Sequence, residues 1–260
     1  MFDKANNLSV RNFMKSLGKF IIFLGQLFVR RESFKTYVTR IVDESIKVGY
    51  NSVFIVVIVS AFMGAVTTVQ TAYNLISPLI ADPVIALVVR DMTLIELAPT
   101  ITAIVYAGKV GSNIAGELGT MKITEQVDAL EVMGINATSY LVLPKIIASI
   151  LMFPVLVIMA GFVSIYGGYL TAQLTGVISG TDYILGIQMD FIPFQVTFAL
   201  IKAVVFGFLV AAISSYKGYF TSGGALEVGQ SSTNAVTSSC IAILAGDYLL
   251  AYLLAPLLTP

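Results

Sequence analysis

Residues 141–174 have the sequence LVLPKIIASILMFPVLVIMAGFVSIYGGYLTAQL, an apolar run in which Lys145 is the only charged side chain. A helix needs roughly 20 mainly apolar residues to cross a hydrocarbon layer of about 30 Å. This run is longer than that, and Pro154 is expected to break it. A run of this kind is typical of a membrane-spanning helix.

The composition of the whole chain supports a membrane protein. Hydrophobic residues make up 57% of it and charged residues only 12%, whereas a soluble domain carries about 25% charged residues. The formal net charge is zero, which provides no case for a nucleic-acid partner. The chain has no His and a single Cys. These counts argue against a disulfide within the chain, a thiolate or imidazole metal site and a His-dependent catalytic triad.

We therefore predict an all-α polytopic membrane protein with about five transmembrane helices. A transmembrane domain covers residues 51–260, after an N-terminal interfacial segment over residues 1–50. The predicted spans are 52–76, 92–115, 141–174, 194–216 and 233–254.

The distribution of cationic residues predicts the orientation. Nine of the fifteen Lys and Arg lie in the first fifty residues, whereas the loops around Asp82 and over 175–190 have none. Cytoplasmic loops of membrane proteins are enriched in Lys and Arg. We expect a cytoplasmic N-terminus, and five spans then place the C-terminus on the outer side of the membrane.

Residues 20–29 form a short, mostly apolar run between Lys19 and the pair Arg30-Arg31. Ten residues are too few to span a bilayer. A signal peptide would need a small-residue cleavage site where the two arginines stand. An N-terminal interfacial amphipathic helix is favoured over a buried helix, because its cations would meet anionic headgroups.

The segment between the second and third spans, residues 108–134, is the most unusual part of the chain. Its second half predicts a short helix over about 124–133, with Thr124 as N-cap and Gly134 as the stop. Although the segment is rich in glycine, no G-x-x-x-x-G-K-[ST] motif occurs in the chain. ATP binding by a Walker motif is therefore excluded.

The predicted short helix is amphipathic and acidic. Val127 and Leu130 share one side, and Asp128 and Glu131 lie on another. Such a helix suits docking to a partner protein, but a solvated connector explains the same pattern. The residues alone leave both interpretations open.

Glu96 in the second predicted span and Lys202 in the fourth are charged residues within the membrane region. Charges within a membrane are rare and usually face a cavity or each other. A polar part of a transport path and a structural ion pair are both open interpretations. Near Glu96, Pro99 is expected to kink the helix. Ser60, Gly64 and Thr68 recur at four-residue spacing, which favours close helix packing.

Several motifs resemble the MlaE (YrbE) permease family. They are Glu-Leu-Ala-Pro at 96–99, Ala-Gly-Lys-Val-Gly-Ser at 107–112, Glu-Leu-Gly-Thr-Met-Lys at 117–122, Thr-Glu-Gln-Val-Asp-Ala-Leu-Glu-Val-Met-Gly at 124–134 and Gly-Gln-Ser-Ser-Thr-Asn-Ala-Val at 229–236. The resemblance extends from about residue 39 to the C-terminus. In this family a basic residue often precedes the Glu of the first motif, where this chain has Ile95.

The resemblance implies a permease subunit of an ATP-binding cassette (ABC) transporter in the bacterial inner membrane. It implies a homodimer with a separate ATPase that binds ATP and Mg²⁺, an MCE-domain lipid-binding partner, and phospholipid movement between the inner and outer membranes. The segment 124–133 would be the coupling helix. The implied ATPase contacts are Glu117, Thr124, Glu125, Asp128, Leu130, Glu131 and Met133. The implied lipid-cavity residues are Gly64, Thr67, Gln70, Tyr73, Glu96 and Lys202.

An alternative function is a secondary transporter or channel driven by an ion gradient, with Glu96 and Lys202 as relay residues. It predicts transport without ATP or a partner. An intramembrane enzyme has little support, because the chain has no His and no carboxylate pair placed for acid–base chemistry.

Overall fold

The computed structural model describes residues 2–27, 29, 34–75, 81–254 and 256, and within these residues it contains helices and no strand. A short 3₁₀ turn at Tyr50–Ser52 joins α2 to α3, and π-helical stretches at Thr93–Ile101 and Ala107–Gly111 join α4, α5 and α6. The helices are α1 (Phe2–Gln26), α2 (Phe34–Val48), α3 (Val53–Asn74), α4 (Pro83–Met92), α5 (Thr102–Tyr106), α6 (Ser112–Ile123), α7 (Gln126–Val132), α8 (Ala137–Thr175), α9 (Gly180–Gln188), α10 (Phe194–Tyr219) and α11 (Ala225–Leu254).

Four helical segments are long and apolar enough to cross a membrane, judged by length and composition over the described residues. They are Lys35–Asn74, Ala137–Thr175, Phe194–Tyr219 and Ala225–Leu254. They overlap the first, third, fourth and fifth predicted spans, so the all-α polytopic fold is confirmed, but the first of them begins at Lys35, inside the predicted N-terminal segment. The predicted span 92–115 is helical but is not among the four, and Ile76, the predicted end of the first span, lies outside the described residues.

The helical path from α4 to α6 is widened around Pro99. The π-helical stretch Thr93–Ile101 contains this proline together with Glu96. A proline removes one backbone donor and crowds the preceding turn, and a π-helical stretch is one way in which a helix accommodates this disturbance. The stretch therefore brings an irregular backbone and a charged residue to the same place in the bundle.

Helix α8 lies at the centre and packs against α3 and α10, while α10 also packs against α6 and α11. Small residues make these contacts close. A Cβ on Gly64 would overlap the backbone of Ser164, and one on Gly207 would meet the carbonyl of Ser149. The helix continues through Pro154, so the predicted break there is wrong. Neighbouring helices can support a proline inside a membrane helix.

Some apolar residues of α1 pack against the bundle and others lie on its surface. Phe23 and Leu27 are buried against the bundle, and Phe23 packs on the rings of Tyr216 and Phe220. Met14, Leu17, Ile21 and Ile22 are exposed. This exposed apolar face suits the predicted interfacial helix, which stays a prediction, and Arg30 and Arg31 lie outside the described residues.

Arg90, near the end of α4, is buried although it is charged. Its guanidinium lies 2.7 Å from Asp91 Oδ1 and donates hydrogen bonds to the carbonyls of Ile187 and Met189. A buried charge needs such partners. Arg90 therefore ties α4 to the last turn of α9 and to the residue that follows it.

Candidate functional site

The short helix α7 begins one residue later than its sequence suggests. The Thr124 hydroxyl donates to the Thr120 carbonyl at 2.8 Å, so Thr124 closes α6 and does not cap α7. Glu125, with φ of 59°, makes the turn between the two helices. Thr124 as N-cap is therefore wrong, because a threonine hydroxyl can bond back to the carbonyl four residues earlier. Gly134, with φ of 81°, ends the segment as predicted.

The carboxylates of this segment are held by neighbours in the same chain. Asp128 lies 2.6 Å from Lys122 Nζ, and Glu131 Oε1 accepts a hydrogen bond of 2.9 Å from the Tyr219 hydroxyl. Tyr219 is the last residue of α10 and is buried. The acidic side of α7 is thus tied to α6 and to α10.

The apolar residues of α7 lie on two different sides. Val127 is fully buried and Leu130 is partly buried against the core, whereas Val132 is 89% exposed and the next residue, Met133, is 66% exposed. We call Val132 and Met133 the apolar ridge. An exposed pair of large apolar side chains on a short helix suits contact with a partner protein.

Glu117 belongs to an ion network at the same end of the bundle. Lys145 of α8 is almost fully buried and lies 2.6 Å from Glu117 and 3.0 Å from Glu44 of α2. Lys47 reaches the same two carboxylates at 3.4 and 3.2 Å. We call Glu44, Lys47, Glu117 and Lys145 the basic-end network.

The basic-end network has an electrostatic consequence for Glu117. Partial burial by itself would raise the pKa of this carboxyl, but the charges and hydrogen bonds of Lys145 and Lys47 outweigh it and hold the pKa below its ordinary value. A cavity of about 620 Å³ opens beside the network, between α2, α7 and α8. The network therefore joins α2, α6 and α8 beside α7.

A second ion cluster lies between the long helices. Lys202 Nζ of α10 is fully buried and lies 2.7 Å from both Glu96 Oε2 and Asp247 Oδ1. It also donates to the Ile95 carbonyl at 3.1 Å, and Thr100 donates to Asp247 at 3.0 Å. We call Glu96, Lys202 and Asp247 the inner cluster. It connects α10, α11 and the π-helical stretch.

An ion pair of Glu96 with Lys202 was one interpretation of the sequence, but Asp247 was not predicted to join it. The signal was present, because Asp247 is also a charged residue inside a predicted span. Lys202 of α10 brings a positive charge to the Ile95 carbonyl, whereas Arg90 contacts Asp91 and the end of α9. Glu96 reaches the surface, with its side chain 46% exposed.

The cavity residues predicted on α3 do not share one face. Gly64 and Thr67 are buried, and Gly64 lies in the contact with α8. Gln70 is exposed and Tyr73 is 66% exposed. Only Gln70 and Tyr73 can therefore contribute to an open surface of this protomer.

These features define a helical membrane bundle with a tethered, exposed helix at one end, which is an arrangement suited to a transport subunit driven by a partner. The family model described as Permease MlaE matches residues 41–253. The chain belongs to the MlaE permease family.

Similar proteins carry matching names. The chain is 36% identical to a probable ABC transporter permease protein of Rickettsia bellii over 252 residues, which cover 96% of this chain and 97% of the relative. It is 33% identical to a probable ABC transporter permease protein of Synechocystis, covering 98% and 96%. It is also 33% identical to protein TRIGALACTOSYLDIACYLGLYCEROL 1, chloroplastic, of Arabidopsis thaliana, covering 88% of this chain and 65% of that one. The chain is therefore an ABC permease subunit, a transport component that works with a separate ATPase.

Proposed function

We propose that this permease moves phospholipids between the inner and outer membranes of a bacterium, driven by a partner ATPase that binds ATP and Mg²⁺. The observation that carries the proposal is the apolar ridge at the end of α7, which is exposed while Val127 is buried and Asp128 and Glu131 bond to neighbouring helices. The name of the Arabidopsis relative includes the name of a galactolipid, which supports a lipid substrate.

The proposed orientation places the basic-end network and α7 in the cytoplasm. The excess of Lys and Arg in the first fifty residues supports this orientation, together with Lys109, Lys122 and Lys145 around the connection between the second and third predicted spans. The helical path from α4 to α6 would cross the membrane as the fifth span, and the C-terminus would then lie on the periplasmic side of the inner membrane. An MCE-domain lipid-binding protein would meet the permease on that side.

A mechanical path connects α7 to the inner cluster. Glu131 bonds to Tyr219 at one end of α10, and Lys202 lies 17 residues earlier in the same helix. At 1.5 Å per residue, a rigid helix carries a displacement over about 26 Å between these points. Lys202 in turn holds Glu96 and Asp247. Movement of α7 by the ATPase would therefore reach α11 and the π-helical stretch through α10.

The lipid path is proposed to lie between two copies of the chain. Glu96, Gln70 and Tyr73 all reach the protomer surface. A charged side chain exposed between membrane helices needs water, a polar ligand or a protein partner. A homodimer that encloses these residues in a cavity would meet this need.

The test uses the double substitution Val132→Asp with Met133→Asp in the full transporter. We expect these charges to prevent association with the ATPase and to abolish ATP-driven lipid transfer between vesicles. The control is Val132→Leu with Met133→Leu, which keeps the ridge apolar. Co-purification of the ATPase with the aspartate variant at the wild-type level would show that the ridge is not the docking surface. Lipid transfer by the permease alone, without ATP, would support the secondary transporter instead.

A further inference from the structure

A cavity of about 470 Å³ lies beside α7, on the side where α1 ends. We call it the Glu131 pocket. Two of its lining residues, Glu131 and Gly134, flank the apolar ridge in the sequence. The pocket shares no lining residue with the cavity between α2, α7 and α8. Its walls include Gln26, Val29, Glu131, Asn136, Thr138 and Tyr219.

The chemistry of this pocket is acidic. Glu131 is the ionisable carboxylate in its wall, and none of the described residues that line it is Lys or Arg. The Tyr219 hydroxyl donates one hydrogen bond to Glu131 Oε1, and a carboxylate with two oxygens has room for several more donors. The pocket therefore has a negative charge with acceptor capacity left over.

Backbone acceptors add to this character. Asn136 Nδ2 donates to the carbonyls of Gln26 at 3.1 Å and Val29 at 2.6 Å. The Gln26 carbonyl also accepts from the Val29 backbone amide at 3.2 Å, which engages both of its lone pairs, whereas the bond from Asn136 occupies one of the two lone pairs of the Val29 carbonyl. The other end of the Asn136 amide accepts from the Ser139 backbone amide at 3.2 Å and caps α8. The wall is thus rigid and rich in acceptors.

Tyr219 holds Glu131 in place. Its ring packs on Phe23, with centroids 5.5 Å apart, and Phe23 is almost fully buried. The ring cannot turn freely, so the hydroxyl fixes one carboxylate oxygen and orients the other. We treat Tyr219 as a positioning residue that acts through Glu131.

We propose that the Glu131 pocket receives an arginine side chain of the ATPase when the apolar ridge docks. This inference rests on the proposed docking of α7. A guanidinium has five donors in a planar fork and can bind a carboxylate and neighbouring carbonyls together. A lysine ammonium has three donors and no such plane. The apolar ridge provides contact area, and the pocket provides a specific charged contact next to it.

The test compares two carboxylates of the same helix in the assembled transporter. Glu131→Gln removes the pocket charge, while its amide oxygen can still accept from Tyr219, so folding is preserved. Asp128→Asn is the matched control, because Asp128 pairs with Lys122 within the chain. We expect Glu131→Gln to weaken binding of the ATPase about tenfold, with a flatter dependence of affinity on salt. Asp128→Asn should leave the affinity nearly unchanged.

A second variant tests the positioning role. Tyr219→Phe keeps the ring against Phe23 and removes the hydroxyl. We expect an intermediate loss of affinity, and the double variant with Glu131→Gln should bind no more weakly than Glu131→Gln alone. This lack of additivity is expected when two residues act through one contact, and a general loss of packing would add to the first effect.

Three outcomes would overturn the inference. Wild-type affinity of the Glu131→Gln variant is the first, and equal losses for Glu131→Gln and Asp128→Asn are the second. The third concerns Arg30 and Arg31, which follow Val29 in the sequence. If Arg30→Gln with Arg31→Gln reproduces the Glu131→Gln loss, and the combined variant loses no more, the cation comes from this chain. These outcomes differ from a failure of the proposed function. In that case the wild-type permease itself would not bind the ATPase.

Discussion

Lys202 and Lys145 are two buried lysines with similar partners and different surroundings. Each lies within 3.0 Å of two carboxylates, Lys202 in the inner cluster and Lys145 in the basic-end network. The basic-end network contains a second cation, Lys47, that reaches both carboxylates. Among the described residues the inner cluster has no such second cation. The inner cluster therefore depends on one lysine, whereas in the basic-end network two lysines share two carboxylates and balance their charge.

The largest effect is expected for Lys202→Met. This change leaves Glu96 and Asp247 facing each other without a cation, and breaking a buried ion pair in this way costs about 3–5 kcal/mol. We expect a large fall in the thermal unfolding temperature in detergent. The triple variant Lys202→Met, Glu96→Gln, Asp247→Asn should recover most of it. A Lys202→Met permease as stable as wild type would show that the cluster does not depend on this lysine.

Lys145→Met should be milder. Lys47 remains to pair with Glu44 and Glu117, and water has access to this end of the bundle, so the loss should be about 1–3 kcal/mol. The same thermal measurement checks it. Adding Lys47→Met should then bring the loss close to that of Lys202→Met. A single substitution that already equals Lys202→Met would contradict the balancing role of Lys47.

Within the inner cluster, Asp247→Asn should destabilise the fold more than Glu96→Gln. The Asp247 side chain is 12% exposed and holds both Lys202 and Thr100, whereas the Glu96 side chain is 46% exposed. We expect about 1–2 kcal/mol for Asp247→Asn and less for Glu96→Gln. Glu96→Gln should instead reduce lipid transfer by the assembled transporter. The reverse order of stabilities would place the buried end of the cluster at Glu96.

The smallest effect is a pH dependence at the basic-end network. The pKa of Glu117 is lowered in the folded chain, so its contribution to stability is present above its ordinary pKa of 4.5 and is lost as pH falls through the folded value. We expect the unfolding temperature of Glu117→Gln to fall less steeply on acidification than that of wild type. Parallel acid limbs for the two proteins would show that Glu117 does not contribute.

The membrane fold could be predicted from the sequence because run length and charge content are local properties. The segments Ala137–Thr175 and Phe194–Tyr219 follow directly from such runs. The stretch around Glu96 was harder, because charged and polar residues lower its hydropathy and a π-helical stretch interrupts the regular helix. Asp247 could have been found by the same rule that identified Glu96 and Lys202.

The candidate site was only partly predictable. The existence of α7 and its end at Gly134 follow from capping and glycine, which act over a few residues. The spacing also predicted which side of α7 is buried, because Val127 and Leu130 face the core while Asp128 and Glu131 are exposed. It did not predict that Asp128 and Glu131 are held by Lys122 and Tyr219, or that Val132 and Met133 are exposed.

The amino-acid sequence by itself determined that this chain is a helical membrane protein, where most of its spans lie, and that it carries the motifs of its family. Only the tertiary structure decided which faces meet. Lys202 lies 106 residues from Glu96, and Tyr219 lies 88 residues from Glu131. The physical reason is that the rotation of a long helix about its own axis is set by packing against distant helices. Gly64 and Tyr73 lie on the same helix and show this most simply. Gly64 is buried in the contact between α3 and α8, whereas Tyr73 is exposed.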